Sequence, residues 1–138
     1  MGRVMVKIQV ENATDVVRAA AGEIPQNRVR HIEIDALVDT GATLLCLPKS
    51  QIDELGLTLR EIRRATTANG DVDRGIYQVV NLTLLGRTCS IDVMELPEGT
   101  PPLVGYLALE NLDLVVDPKS QSVMPNPAHE GKFVMDLY

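Results

Sequence analysis

Short runs of alternating apolar and polar residues recur along this chain, separated by glycine, proline and asparagine. Arg3 to Val10 alternates in this way and predicts a strand. The pattern returns from Val29 to Val38, where Ile32, Ile34, Ala36 and Val38 share one face, and it runs directly into Asp39-Thr40-Gly41. Between these runs, Asp15 to Ala21 is compatible with helix or strand, and Gly22, Pro25 and Asn27 punctuate its end. A short apolar strand, Leu44 to Leu47, precedes a segment with proline near its start and glycine past its end, Pro48 to Gly56, which reads as a short helix. Two strand-like runs follow, Leu57 to Ala68 and Gly75 to Leu85. They flank the polar stretch Asn69 to Arg74, whose Asn69-Gly70 pair predicts a hairpin. A turn at Gly86 leads to a strand over Thr88 to Leu96, and Pro97 to Pro102 forms a proline-rich turn before Leu103-Val104-Gly105-Tyr106. Helical turns over Leu107 to Leu112, a strand over Leu114 to Val116, a tail with Pro118, Pro125 and Pro127, and an apolar stretch from Lys132 to Tyr138 complete the chain. Many short strands with one or two short helices predict an all-β fold, a small closed barrel forming a single domain over residues 1–138.

Composition sharpens this picture. Aromatic residues make up only 3% of the chain, with no Trp and one Phe, so the core must be built from Val, Leu and Ile, which favour strands. The net charge of −6 argues against nucleic-acid or anionic-membrane partners, both of which want a basic surface. The nearest thing to a basic patch, Arg60, Arg63 and Arg64, has Glu61 inside it and reads as a solvated face. No apolar stretch approaches membrane-spanning length and no charged-then-apolar leader is present. Val6 stands where an N-myristoylation signal needs Ser or Thr. Cys46 and Cys89 are too few and too isolated for a disulfide framework or a metal site, and read as buried thiols. The sequons at Asn12 and Asn81 matter only on a secretory route, and a reducing cytoplasm is the expectation.

The segment Ala36-Leu37-Val38-Asp39-Thr40-Gly41-Ala42 carries the chemistry. Three apolar residues deliver a carboxylate to the end of a buried strand, where a lone charge is costly to hide. A hydroxyl and then a glycine follow, the first able to bond across to another segment, the second allowing close backbone approach. Here the sequence resembles the retroviral-type aspartic proteases (retropepsins), whose catalytic loop is Asp-Thr/Ser-Gly-Ala at the end of an apolar strand. Leu103-Val104-Gly105 is similar to the apolar-apolar-Gly element that crosses beneath that loop, and a short helix follows it in both. The hairpin centred on Asn69-Gly70 falls between the two elements, at the place of the family's flap. The resemblance covers about Val29 to Asp117 and is closest to bacterial, non-viral members.

The resemblance implies an aspartic endopeptidase that uses neither metal nor cofactor and acts on a peptide or protein substrate. Hydrolysis in this class needs two carboxylates sharing one proton, because like charges held that close cannot both ionise. A single Asp-Thr-Gly per chain then implies a homodimer with both copies of Asp39 at its axis. Asp39 is the implied catalytic carboxylate, with Thr40, Gly41 and Ala42 supporting the loop. Asn69, Gly70 and Asp71 belong to a substrate-binding flap, and Leu103, Val104 and Gly105 form the supporting second element.

Departures from the family pattern accompany these matches. Retroviral members carry Asp after the loop Ala and Arg after the second-element Gly, an ion pair for which this chain has Thr43 and Tyr106. The dimer must therefore be held differently. A second reading, from another class, is a homodimeric peptide-binding module with weak or no catalysis on the same fold. Asn69, Asp71 and Asp73 have the rhythm of a calcium loop, but Arg74 replaces its glycine and Val80 its bidentate Glu, so a solvated hairpin tip is favoured. His31 and His129 give no support to a Cys–His pair, and Tyr77 and Tyr106 read as packing residues.

Overall fold

A computed structural model describes residues 3–135. Nine strands and three short helices follow in the order β1 (Met5–Asn12), α1 (Ala13–Ala20), β2 (His31–Val38), β3 (Leu45–Pro48), α2 (Lys49–Leu55), β4 (Thr58–Thr67), β5 (Gly70–Leu84), β6 (Arg87–Leu96), β7 (Leu103–Val104), α3 (Tyr106–Leu112), β8 (Leu114–Asp117) and β9 (Ser122–Pro125). Seven strands pair in the order β1-β2-β7-β3-β6-β5-β4, and β5 also pairs with β1. Six strands thus close a ring, and β4 lies outside it, paired only with β5. The expected closed all-β barrel is what the backbone pairing gives. Closure removes the sheet edges that an aliphatic barrel would otherwise expose.

Period-two patterning accounts for the ring. In β2, Ile32 and Ala36 are buried and Ile34 and Val38 half-buried, while His31, Glu33 and Asp35 face solvent. β3 is buried along its whole length, because it runs through the middle of the sheet under α2. The buried side chains form one aliphatic cluster in which Ile8, Val10, Leu45, Leu47, Ile52, Leu55, Val80, Leu82 and Val93 are wholly inaccessible. Tyr77 is its one aromatic member.

The ambiguous segment after β1 is helix α1. Buried Asn12 decides this, since its Oδ1 accepts from the Asp15 amide (3.1 Å) and caps the helix. Its Nδ2 donates to Leu55 O (2.8 Å), so the same side chain also holds the end of α2, which turns at left-handed Gly56. Both polar atoms of the Asn12 side chain are thus engaged in the folded chain. Asp15, buried in the first turn of α1, receives Arg30 Nε at 2.8 Å, Arg30 Nη2 at 3.0 Å and the Arg30 amide at 3.0 Å. The guanidinium holds the Asp15 carboxyl below the usual carboxylate range, against the upward push of burial.

The tail is tied down by polar contacts absent from the apolar pattern. β9 pairs with β8, a strand the sequence reading did not anticipate. Beyond it, buried Asp113 accepts from the Val134 amide (3.1 Å) and Asn126 Nδ2 (3.2 Å), and His129 Nδ1 lies 2.6 Å from its Oδ2. Arg87 donates to the carbonyls of Leu112, Asp113 and Gly131 and stacks on Phe133. Lys132 to Met135 is neither helix nor strand; residues 136–138 of the expected apolar stretch lie outside the described residues.

Candidate active site

Asp39 leaves the end of β2 and is half-buried. Its amide donates to Val104 O (3.0 Å), its carbonyl accepts from the Ala42 amide (3.0 Å), and its Oδ1 accepts from the Gly41 amide (2.9 Å). The turn and the carboxylate orientation are therefore set by backbone alone. Among the described residues the other carboxylate oxygen has no hydrogen-bond partner.

The Leu103–Val104 segment enters between the strands on either side of this loop, pairing parallel with β2 and antiparallel with β3. Past it, the amides of Gly105, Tyr106 and Leu107 donate to the carbonyls of Leu44 (3.0 Å), Ala42 (2.9 Å) and Thr43 (3.1 Å). Gly105 is required by this approach. A Cβ there would lie 2.5 Å from Leu44 O, 2.6 Å from the Thr43 carbonyl carbon and 2.7 Å from Ala42 O, all backbone atoms. Asp39, Thr40, Gly41 and Ala42 are thus brought together with Leu103, Val104 and Gly105 in one bonded unit.

Around the half-buried carboxylate, Thr40, Gly41 and Thr43 are exposed, and Tyr106 is 41% exposed at the start of α3. Tyr106 is therefore not the packing residue expected from sequence: its amide is taken by Ala42 O, which leaves the ring on the surface beside the loop.

Asn69, Gly70 and Asp71 lie at the tip of a long hairpin rather than in the Asp39 unit. The turn is tighter than Asn69 to Arg74. Thr67 pairs with Gly70, leaving only Ala68 and Asn69 between the strands, and Asp71 to Arg74 belong to β5. Thr67 causes this, because its Oγ1 accepts from the Asn69 amide (3.2 Å) and donates to Gly70 O (2.7 Å). Residues 70–75 pair only with β4, whereas β5 joins β6 from Ile76 onward. The hairpin is thus an exposed two-stranded arm beyond the ring, with Arg63 and Arg64 on its solvated strand as expected.

The remaining chemistry-bearing groups are occupied locally. Cys46 is buried in β3, and burial, with the Asp39 charge adding, pushes its thiol up to about 12. Cys89 is only half-buried, and burial still pushes it up to about 11. His31 Nδ1 lies 3.0 Å from Val29 O, and His129 is held at Asp113. Among the described residues no three His, Cys, Asp or Glu side chains are grouped to hold a metal. No described helix is long and apolar enough to cross a membrane.

A contact with no local sequence signal lies at the base of the arm, where Tyr77 Oη donates to Glu95 Oε1 (2.8 Å). Alternation puts Gly75 and Tyr77 on one face, but nothing in the pattern pairs a tyrosine with a carboxylate on the neighbouring strand. In comparison with known proteins, a family model described as aspartyl protease matches residues 26–122, a span that includes the Asp39 loop, the arm and Gly105. No curated protein matches the chain.

Proposed function

From the chain's membership of the retropepsin-like aspartyl protease family, we propose that it is an endopeptidase whose active site forms when two copies bring their Asp39 carboxylates together. The observation that carries this reading is the Asp39 unit itself. One half-buried carboxylate is oriented by the Gly41 amide, and the Asp39 amide is held by Val104 O, at a loop whose neighbours Thr40, Thr43 and Tyr106 are exposed. One such group is half of the apparatus, and an exposed loop of small residues leaves room for its symmetry mate.

In the dimer, the ionised carboxylate takes a proton from water as the oxygen attacks the peptide carbonyl carbon. The protonated one donates to the carbonyl oxygen. Collapse of the resulting diol breaks the C–N bond, with the proton passing to the leaving amine. Thr40, exposed beside Asp39, bonds across the axis. The arm, with Asn69, Gly70 and Asp71 at its tip, closes over an extended peptide and excludes water. Thr43 and Tyr106 replace the ion pair of viral members, so this dimer is braced by a hydroxyl and an aromatic ring instead of charges. Two thiols outside any disulfide fit a reducing cytoplasm.

The departure at Thr43 and Tyr106 also favours a second reading, in which the same cleft binds peptide in a homodimer without turnover. Cleavage of a diverse peptide library, read by mass spectrometry from acid to neutral pH, separates the two. Cuts made by the wild type and lost in Asp39→Asn are expected. Cuts that persist in Asp39→Asn would overturn the protease reading; binding without cuts in either protein, at concentrations where the dimer is present, would establish the module.

A further inference from the structure

The arm leaves the ring at a junction where both of its strands are irregular. In β4 the pairing with β5 shifts between Leu59 and Glu61, making Arg60 an extra residue. In β5 the pairing with β6 begins at Ile76, and Gly75 on the arm side pairs only with Ile62. Gly75 is buried, and its missing side chain is what lets the junction close. A Cβ there would lie 2.8 Å from Tyr77 Cε1, 3.1 Å from Leu59 Cδ1 and 3.4 Å from Glu95 Oε1. Tyr77 and Leu59 face each other across the hairpin, so both pack over Gly75.

Two side-chain links tie this junction to β6. Tyr77 Oη donates to Glu95 Oε1 at 2.8 Å, and the Arg60 guanidinium pairs with Asp92. Glu95 also lies opposite Leu47 of β3, the strand that leaves the Asp39 loop. The Tyr77–Glu95 bond thus joins the base of the arm to the frame that carries the carboxylate. A buried tyrosine needs some acceptor wherever it sits. Here the acceptor is on the fixed ring and the donor is two residues from the last point at which β5 is held by the arm alone.

We propose that Tyr77 and Glu95 are positioning residues, whose bond over Gly75 sets the angle at which the arm leaves the ring and so holds it over the Asp39 loop. The closing-over part rests on the protease reading; the control of the arm by the latch does not. Tyr77→Phe keeps the ring over Gly75 and removes only the bond. Glu95→Ala removes the acceptor, and Glu95→Gln restores one, since an amide oxygen still accepts from the phenol.

The test is amide hydrogen exchange of the full-length chain, compared between arm residues 62–74 and ring strands β1 and β2, alongside KM and kcat on a cleaved peptide. Tyr77→Phe and Glu95→Ala are expected to speed exchange in the arm about tenfold or more with the ring unchanged. KM should rise several-fold, with a smaller change in kcat, and Glu95→Gln should return both readouts towards wild type. Unchanged arm exchange in folded Tyr77→Phe and Glu95→Ala would overturn the proposal, as would exchange that rises equally in arm and ring. If the wild type cleaves nothing while arm exchange responds as expected, the latch stands and the protease reading falls. If cleavage is Asp39-dependent but neither arm exchange nor KM moves, the protease stands and the latch falls.

Discussion

Replacing Gly105 by alanine tests the account of the Asp39 unit most directly. The added Cβ meets Leu44 O at 2.5 Å, and ordinary contact begins near 3.4 Å, so the two backbones must part by about 0.9 Å. Three hydrogen bonds cross that gap, from the amides of Gly105, Tyr106 and Leu107, at 2.9–3.1 Å. Each contributes roughly 1 kcal/mol net, so losing them costs about 3 kcal/mol, in the range of overpacking a core. Alanine also restricts the unfolded chain relative to glycine, which offsets up to about 1 kcal/mol. The expected loss is therefore about 2–3 kcal/mol, read as a lower urea midpoint with an unchanged slope. Gly41→Ala is the contrast: its Cβ would lie 3.1 Å from a side-chain atom, Asp39 Oδ1, which must give only about 0.3 Å. That variant should keep the wild-type midpoint within about 1 kcal/mol and still lose cleavage, by roughly several-fold, because the displaced atom is the carboxylate oxygen. A Gly105→Ala midpoint equal to wild type, or a Gly41→Ala that unfolds as easily as Gly105→Ala, would refute the reasoning.

Two other outcomes follow from buried ionisable groups. Burial alone would raise the Asp113 carboxyl, but the bonds from His129, the Val134 amide and Asn126 outweigh it, and the Arg30 guanidinium holds Asp15 down in the same direction. Carboxyls lowered by folding stabilise fully above the ordinary value of 3.8 and lose that contribution as pH falls through their folded values. The urea midpoint should therefore hold from neutral pH to about 4 and drop below it, and Asp113→Asn should flatten that drop; a midpoint rising into acid would contradict both assignments. Cys46 and Cys89, pushed up to about 12 and about 11, should resist iodoacetamide at pH 8 until the chain unfolds, Cys46 more so than Cys89. Rapid labelling of native Cys46 would show that β3 opens far more readily than its burial implies.

The readable parts of the sequence were those where one local rule decides. Alternation located β2, proline and glycine bracketed α2, and an aspartate at the end of an apolar run marked the loop. Gly105 was legible as a glycine, but the reason for it was not, because the atoms it approaches lie more than sixty positions earlier. The hairpin turn was misread for a related reason. Asn69-Gly70 is a strong turn signal, yet Thr67 Oγ1 bonds to the Asn69 amide and to Gly70 O and moves the turn one residue back. β9 and the Asp113 anchor had no periodic signature, since polar side chains reaching carbonyls and amides hold that tail. Tyr106 was misjudged because residue type favours burial, while its amide is committed to Ala42 O and its ring to the surface.

Gly105 and Gly75 permit the same kind of close approach in different materials, and that difference separates what must be rigid from what must move. At Gly105 the neighbours are three backbone atoms, already fixed by strand pairing on both sides, so the Asp39 loop has no soft direction in which to yield. At Gly75 they are the ends of side chains, Tyr77, Leu59 and Glu95, which can swing through rotamers at modest cost. In the proposed dimer, a carboxylate that meets its symmetry mate within hydrogen-bond reach needs the first kind of support. Under the same proposal, an arm that admits a peptide and then covers it needs the second, held by the Tyr77–Glu95 bond at its base.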